Sequence, residues 1–166
     1  MANEFTSTNV TGTLTVNGVD VTAGVTGGGL AALAVQAVVC TGLTDSGVIG
    51  GDAWLKVTAQ SSPDLTVQVS KGACFIAGVL AGDTDGVAIL SGFAAPATNP
   101  RIDIVQISNA GVVSRKAGAE AGSPSAPSVD ANNLKLCEVY NRVGQTSVKN
   151  TDDASNAYIT DARTHL

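Results

Sequence analysis

The sequence predicts an all-β domain, a sandwich or barrel of about eight short strands, with an extended N-terminal arm and at most one short helix. Three observations predict it. Apolar residues alternate with polar ones over short runs. Turn signals built on Gly, Asp, Asn and Pro recur about every 8 to 12 residues. Helical spacing occurs in one stretch alone, which leaves no repeated β-α-β pattern.

Taken in order, residues 1–29 form one block rich in Thr, Asn, Gly and Val. Within it "TLTVNGVDV" places Leu14 and Val16 before Asn17-Gly18, and Val19 and Val21 after it, a strong hairpin signal. Gly27-Gly28-Gly29 closes the block as a hinge. This reads as an arm that lies on something other than its own core, followed by a β-domain over 30–166. In "GLAALAVQAVVC", Leu30, Leu33, Ala34, Ala37 and Val38 follow helical spacing, although Val35, Val38 and Val39 also suit a strand. "TDSGVIGGD" reads as a loop.

Strands follow. "AWLKVTA" sets Trp54 with Lys56 on one face and Leu55 with Val57 on the other, which places Trp54 in the core. "DLTVQVS" alternates Leu65, Val67 and Val69 with Thr66, Gln68 and Ser70; Lys71-Gly72 reads as a turn, and "ACFIAGVL" and "GVAILSGF" as further strands. Pro96 and Pro100 mark a loop. "RIDIVQIS" has Ile102 and Ile104 on one face and Val105 and Ile107 on the other, the pattern of a central or bulged strand. Asn109-Ala110-Gly111 turns it into "VVSRKAG". A Pro/Ser/Ala loop leads to "LKLCEVYNRV", Gly144 turns this into "QTSV", and "NAYITDARTHL" ends the chain as a short strand or extended segment.

The chain has 166 residues, enough for one core without disulfides or metals. Charged residues are 14% against the roughly 25% of an ordinary domain, and mean hydropathy is +0.23, yet no run reaches a membrane span. A compact core rich in Ala and Val, or surface covered by other subunits, would account for that apolar excess, and the second is the expectation. Net charge −5 argues against binding nucleic acid, and no basic cluster suggests a membrane surface. "MANEFTSTNV" lacks the basic and apolar regions of a signal peptide. Cys40, Cys74 and Cys137 are widely spaced and read as buried hydrophobes, with a disulfide the lesser alternative.

No residue set assembles into a catalytic, cofactor or metal site. Gly27, Gly29 and Ala32 have dinucleotide-loop spacing, with Asp45 or Asp52 as a candidate ribose acid, but the β-α-β context is missing. His165, the one histidine, sits at an end expected to fray. Glu120 falls in a loop expected to be flexible, and Asp83 and Asp85 in "GDTDG" read as solvated turn acids. The expectation is a non-enzymatic protein without cofactor or metal.

The second half reads "NPRIDIVQIS", a Gly turn, "VVSRKAGAEAGSPSAPSV", "NNLKLCEVY" and "ITDART", preceded by "LTVQVSKGACFIAGVL". Over about residues 64–164 this resembles a β-rich module of tailed-bacteriophage structural proteins: tail-fibre, baseplate and head-surface proteins. The polar "KNTDDASN" departs from the family pattern and is expected to loosen the final strand. The resemblance implies a virion protein that self-associates, most commonly as a trimer. It further implies a capsid decoration protein attached to the major capsid protein through its arm, or a baseplate or tail-fibre adaptor. It also suggests a role for the charges inside "RIDIVQIS": Arg101 pairing with Asp161, or Asp103 with Arg163, latches the last segment to the central hairpin. The alternative is two separate surface pairs.

Overall fold

A computed structural model describes residues 45–83 and 88–166, together with the backbone of two strands near the N-terminus. The chain divides into units Met1–Gly42 and Leu43–Leu166. In the first, β1 (Leu14–Val16) pairs antiparallel with β2 (Val19–Val21), Leu14 opposite Val21, as the Asn17-Gly18 signal predicts. The glycine hinge, the helix expected from Leu30, and Cys40 lie outside the described residues.

The second unit is all-β: eleven strands in three sheets, with no helix among the described residues and no sheet closed into a barrel. One sheet orders β3 (Gly47–Ile49), β6 (Gly72–Ile76) and β7 (Val79–Asp83). A second orders β4 (Val57–Ala59), β5 (Val67–Val69) and β8 (Ala88–Leu90). The third has five strands in the order β10 (Val113–Lys116), β9 (Arg101–Ser108), β11 (Asn133–Asn141), β13 (Ala157–Asp161), β12 (Val148–Lys149). Val48, Val57, Val69, Cys74, Phe93, Val105, Leu136 and Val139 belong to one buried cluster drawn from all three sheets.

The strand "RIDIVQIS" is central, between β10 and β11, which is why Ile104, Val105, Gln106 and Ile107 are all buried. The bulge lies on its partner: the β11–β9 register shifts between Lys135 and Cys137. The extra residue breaks the alternation, so that Leu136 and Cys137 are buried in succession.

Several expectations are corrected. "GVIG" is not loop but strand β3, because Val48 is buried opposite Cys74. "AWL" is not strand: residues 52–55 form a turn in which Leu55, at φ 52, is buried, while Trp54 remains 43% exposed. "ACFIAGVL" is a hairpin, with Ala77 and Gly78 both at positive φ between β6 and β7, and Gly72 belongs to β6. The C-terminus does not fray. The Val48 N–H donates to the Thr164 carbonyl (2.7 Å) and the Leu166 N–H to that of Val48 (3.1 Å), which sets His165 in a parallel bridge beside β3.

Candidate functional site

The charged residues that stand out in the sequence form two separate clusters. In the first, β9 carries Arg101 and Asp103 on its core side, in step with Val105 and Ile107. Asp103 is fully buried and accepts four hydrogen bonds. Arg101 donates Nε to Oδ1 (2.9 Å) and Nη2 to Oδ2 (3.4 Å). Arg115, reaching across from β10, donates Nη1 to Oδ2 (2.7 Å), and the Gly118 N–H donates to Oδ1 (3.0 Å). Arg101 Nη2 also donates to the Ala94 carbonyl (2.8 Å), and the Arg115 guanidinium lies over the Phe93 ring. One carboxylate thus joins two strands to the segments before and after the hairpin. Gly118 is required there: a Cβ on it would clash with the Ile102 carbonyl oxygen.

In the second cluster, Arg163 binds Asp161 two residues before it (2.6 Å from Nη2) and sends Nη1 to the carbonyls of Asp52 (2.8 Å) and Trp54 (2.6 Å). The expected latch pairs, Arg101–Asp161 and Asp103–Arg163, therefore do not form: each arginine takes the carboxylate two residues away in sequence, Arg101 along β9, where side chains two apart point the same way, and Arg163 just beyond the end of β13. The last segment is nevertheless tied down, through Arg163 to the 52–55 turn.

Three further charged groups, none singled out as a partner in the sequence, hold loops. Glu120 accepts the N–H groups of Ala97 (2.9 Å), Thr98 (3.0 Å) and Asn99 (3.2 Å), and these bonds hold its carboxyl down at about 2. The loop it occupies is therefore pinned at this point. Asp130 binds Lys116 (2.6 Å) and the buried amide of Gln106, which lower its pKa. Arg142 grips both carboxylate oxygens of Asp152 (2.7 Å each) and lies over the stacked rings of Tyr140 and Tyr158. Asp153 and Asn156 complete the loop: Asp153 accepts the N–H groups of Ser155 and Asn156, and Asn156 accepts those of Thr146 and Ser147. The "KNTDDASN" segment thus ties β12 to β13 instead of loosening the end.

Cys74 and Cys137 are free and buried; burial pushes Cys74 up to about 11 and Cys137 higher still, so neither offers a thiolate. The glycine loop of Gly27, Gly29 and Ala32 and the turn containing Asp85 lie outside the described residues. An open groove of about 570 Å³ is lined by Thr58, Gln60, Gln68, Lys149, Asn150 and Thr151. Among the described residues no helix is long and apolar enough to cross a membrane.

Comparison with family models, with curated proteins and with solved structures finds no match.

Proposed function

We propose that this chain is a non-enzymatic structural protein of a tailed-bacteriophage virion. In this reading it is a capsid decoration protein, self-associated as a trimer, that attaches to the major capsid shell through residues 1–29. One observation carries the reading. The strongly placed ionic groups of the second unit are engaged in holding its own loops: Asp103 with Arg101 and Arg115, Asp130 with Lys116, Asp152 with Arg142, Asp161 with Arg163. A carboxylate whose lone pairs are occupied by fixed donors suits a scaffold better than proton exchange with a substrate. The order of strands, turns and loops over residues 64–164, on which the resemblance rests, supports the virion assignment.

The groove lined by Gln60, Gln68 and Asn150 favours a second reading, a baseplate or tail-fibre adaptor that recognises a polar partner. Copy number separates the two. Quantitative gel densitometry of purified virions should give an amount comparable with the shell subunit for a head protein and a small fraction of it for a tail protein. Absence from the particle overturns both. Deleting residues 1–29 should leave a folded oligomer that no longer attaches; full occupancy by the truncated protein overturns the role of the arm.

A further inference from the structure

The open groove of about 570 Å³ lies where β4 and β12, the edge strands of two sheets, are tied together. The Val148 N–H donates to the Asp64 carbonyl (2.7 Å), and the Ala59 N–H to Asn150 Oδ1 (2.7 Å). Thr58 and Gln68 stand opposite each other on β4 and β5, each between buried neighbours, so both point outward. Val148 is buried, so Lys149 points outward as well and brings an ammonium to the same groove.

Each amide lining the groove is oriented by one bond inside the protein. Gln68 Nε2 donates to Thr58 Oγ1 (3.1 Å), and Gln60 Nε2 donates to Thr66 Oγ1 (3.2 Å), so both side chains keep a carbonyl oxygen to accept with. Asn150 is turned the other way: its Oδ1 is taken by the Ala59 N–H, and Nδ2 is left to donate. Among the described residues these outer groups have no partner, and Lys149 forms no ion pair. Two oriented acceptors and two donors thus line one groove, and among the described residues no carboxylate lines it.

We infer that this groove binds a saccharide chain through its hydroxyl groups. The inference names the polar partner of the second reading above and rests on that reading. A hydroxyl both donates and accepts, so a run of neighbouring hydroxyls uses Gln60 and Gln68 as acceptors and Asn150 and Lys149 as donors at once. Amides held in place before binding lose little freedom on binding. The volume falls within the roughly 300–1,000 Å³ of ligand sites, and an open groove admits a chain that runs on past both ends. An added peptide strand fits worse: it would pair with the free edge of β4, where Asn150 already takes the Ala59 N–H. Nucleic acid fits worse too, because Lys149 is the one cation among the described lining residues.

The test is binding of the fluorescently labelled full-length protein to an array of bacterial surface polysaccharides, with a peptide array read in parallel. Wild type should bind at least one polysaccharide. Gln68→Ala removes an acceptor, and Asn150→Asp keeps an oxygen for the Ala59 N–H while removing the donor. Each should weaken binding about tenfold or more, the loss expected for one unmade hydrogen bond to a ligand. Asn150→Asp preserves the bond that ties β12 to β4, so it remains informative where Gln68→Ala disturbs folding. Val112→Ser, at a 61% exposed position in the β9–β10 turn and outside the groove, should leave binding unchanged. No polysaccharide bound above background overturns the inference, and so does binding that both groove substitutions leave intact. Binding to peptides alone overturns the saccharide while the second reading stands. That reading fails separately, on the copy number in purified virions.

Discussion

Arg115 closes on Asp103 across the β9–β10 hairpin at 2.7 Å, from a strand position opposite Val105, and Asp103 has no exposed surface. Two guanidiniums and a backbone N–H share that carboxylate, so its removal leaves two partly buried cations facing each other. Asp103→Asn should therefore destabilise the unit by about 3–5 kcal/mol, the range for breaking a buried pair from one side. Asp161→Asn, at a half-exposed carboxylate, should cost no more than about 1 kcal/mol. Urea unfolding of the two variants gives the ranking directly.

The same geometry fixes which charges couple. A double-mutant cycle on Arg115→Ala and Asp103→Ala should return an interaction energy of about 0.5–3 kcal/mol. The cycle on Arg101→Ala and Asp161→Ala should be additive within about 0.3–0.5 kcal/mol, since these groups share no partner. Coupling of the second pair and none of the first would contradict the arrangement described.

Glu120 makes one loop sensitive to acid. Its unfolded-state value is near the ordinary 4.3, whereas in the folded chain three backbone N–H donors hold it at about 2. A lowered folded value means the unfolded chain binds the extra proton first, so the contribution is complete above about pH 4.5 and is lost as pH falls toward 2. Asp153, also held at about 2 by Asn156 and Ser155, acts in the same direction. The thermal midpoint should fall steadily over that window. Glu120→Gln should lower the midpoint at neutral pH and flatten the fall, as scanning calorimetry across the pH range would show.

The strands "RIDIVQIS" and "LKLCEVYN" were legible because their apolar periodicity is long and their turns carry Gly or Asn. Strand β3 was hidden: a three-residue strand that itself begins on Gly47 carries too little pattern, and its pairing with Cys74 and with the C-terminal segment is non-local. The β6–β7 hairpin was hidden because Ala77 stands where Asn would signal a turn with two positive-φ residues. Same-face placement of Arg101 and Asp103 followed from period two, but their partners did not. Periodicity assigns a side to each residue, and only the strand order β10-β9-β11 brings Arg115 to Asp103.

Ala77 is accordingly a position where the sequence works against its own turn. It holds φ 49 ahead of Gly78 at φ 79, a conformation that favours Asn-Gly. Ala77→Asn should stabilise the unit by about 0.5–1 kcal/mol, because Asn tolerates the left-handed region that strains alanine. The backbone N–H bonded to Ser46 Oγ is retained. A rise in the denaturation midpoint without change in slope is the expected result; a fall would show that the turn does not hold this conformation.

Arg163 decides whether the C-terminal segment stays on β3. Its side chain is 4% exposed, and it supplies donors to the carbonyls of Asp52 and Trp54. Arg163→Ala removes those donors and leaves the two carbonyls and Asp161 to water, which should cost about 1–3 kcal/mol locally. The consequence reaches the next residues, because the Thr164 carbonyl accepts from Val48 and the Leu166 N–H donates to Val48. Among the described residues no other ion pair holds that short parallel pairing once its anchor is released. Amide hydrogen exchange read at single residues should then show Val48 and Leu166 losing protection, while the Val105 and Val139 amides in the central sheet keep theirs. Arg163→Lys should restore little, since an ammonium presents no fork to span a carboxylate and two carbonyls together. Unchanged protection at Val48 in the alanine variant would mean that the backbone pairing with β3, and not the guanidinium, holds the end of the chain.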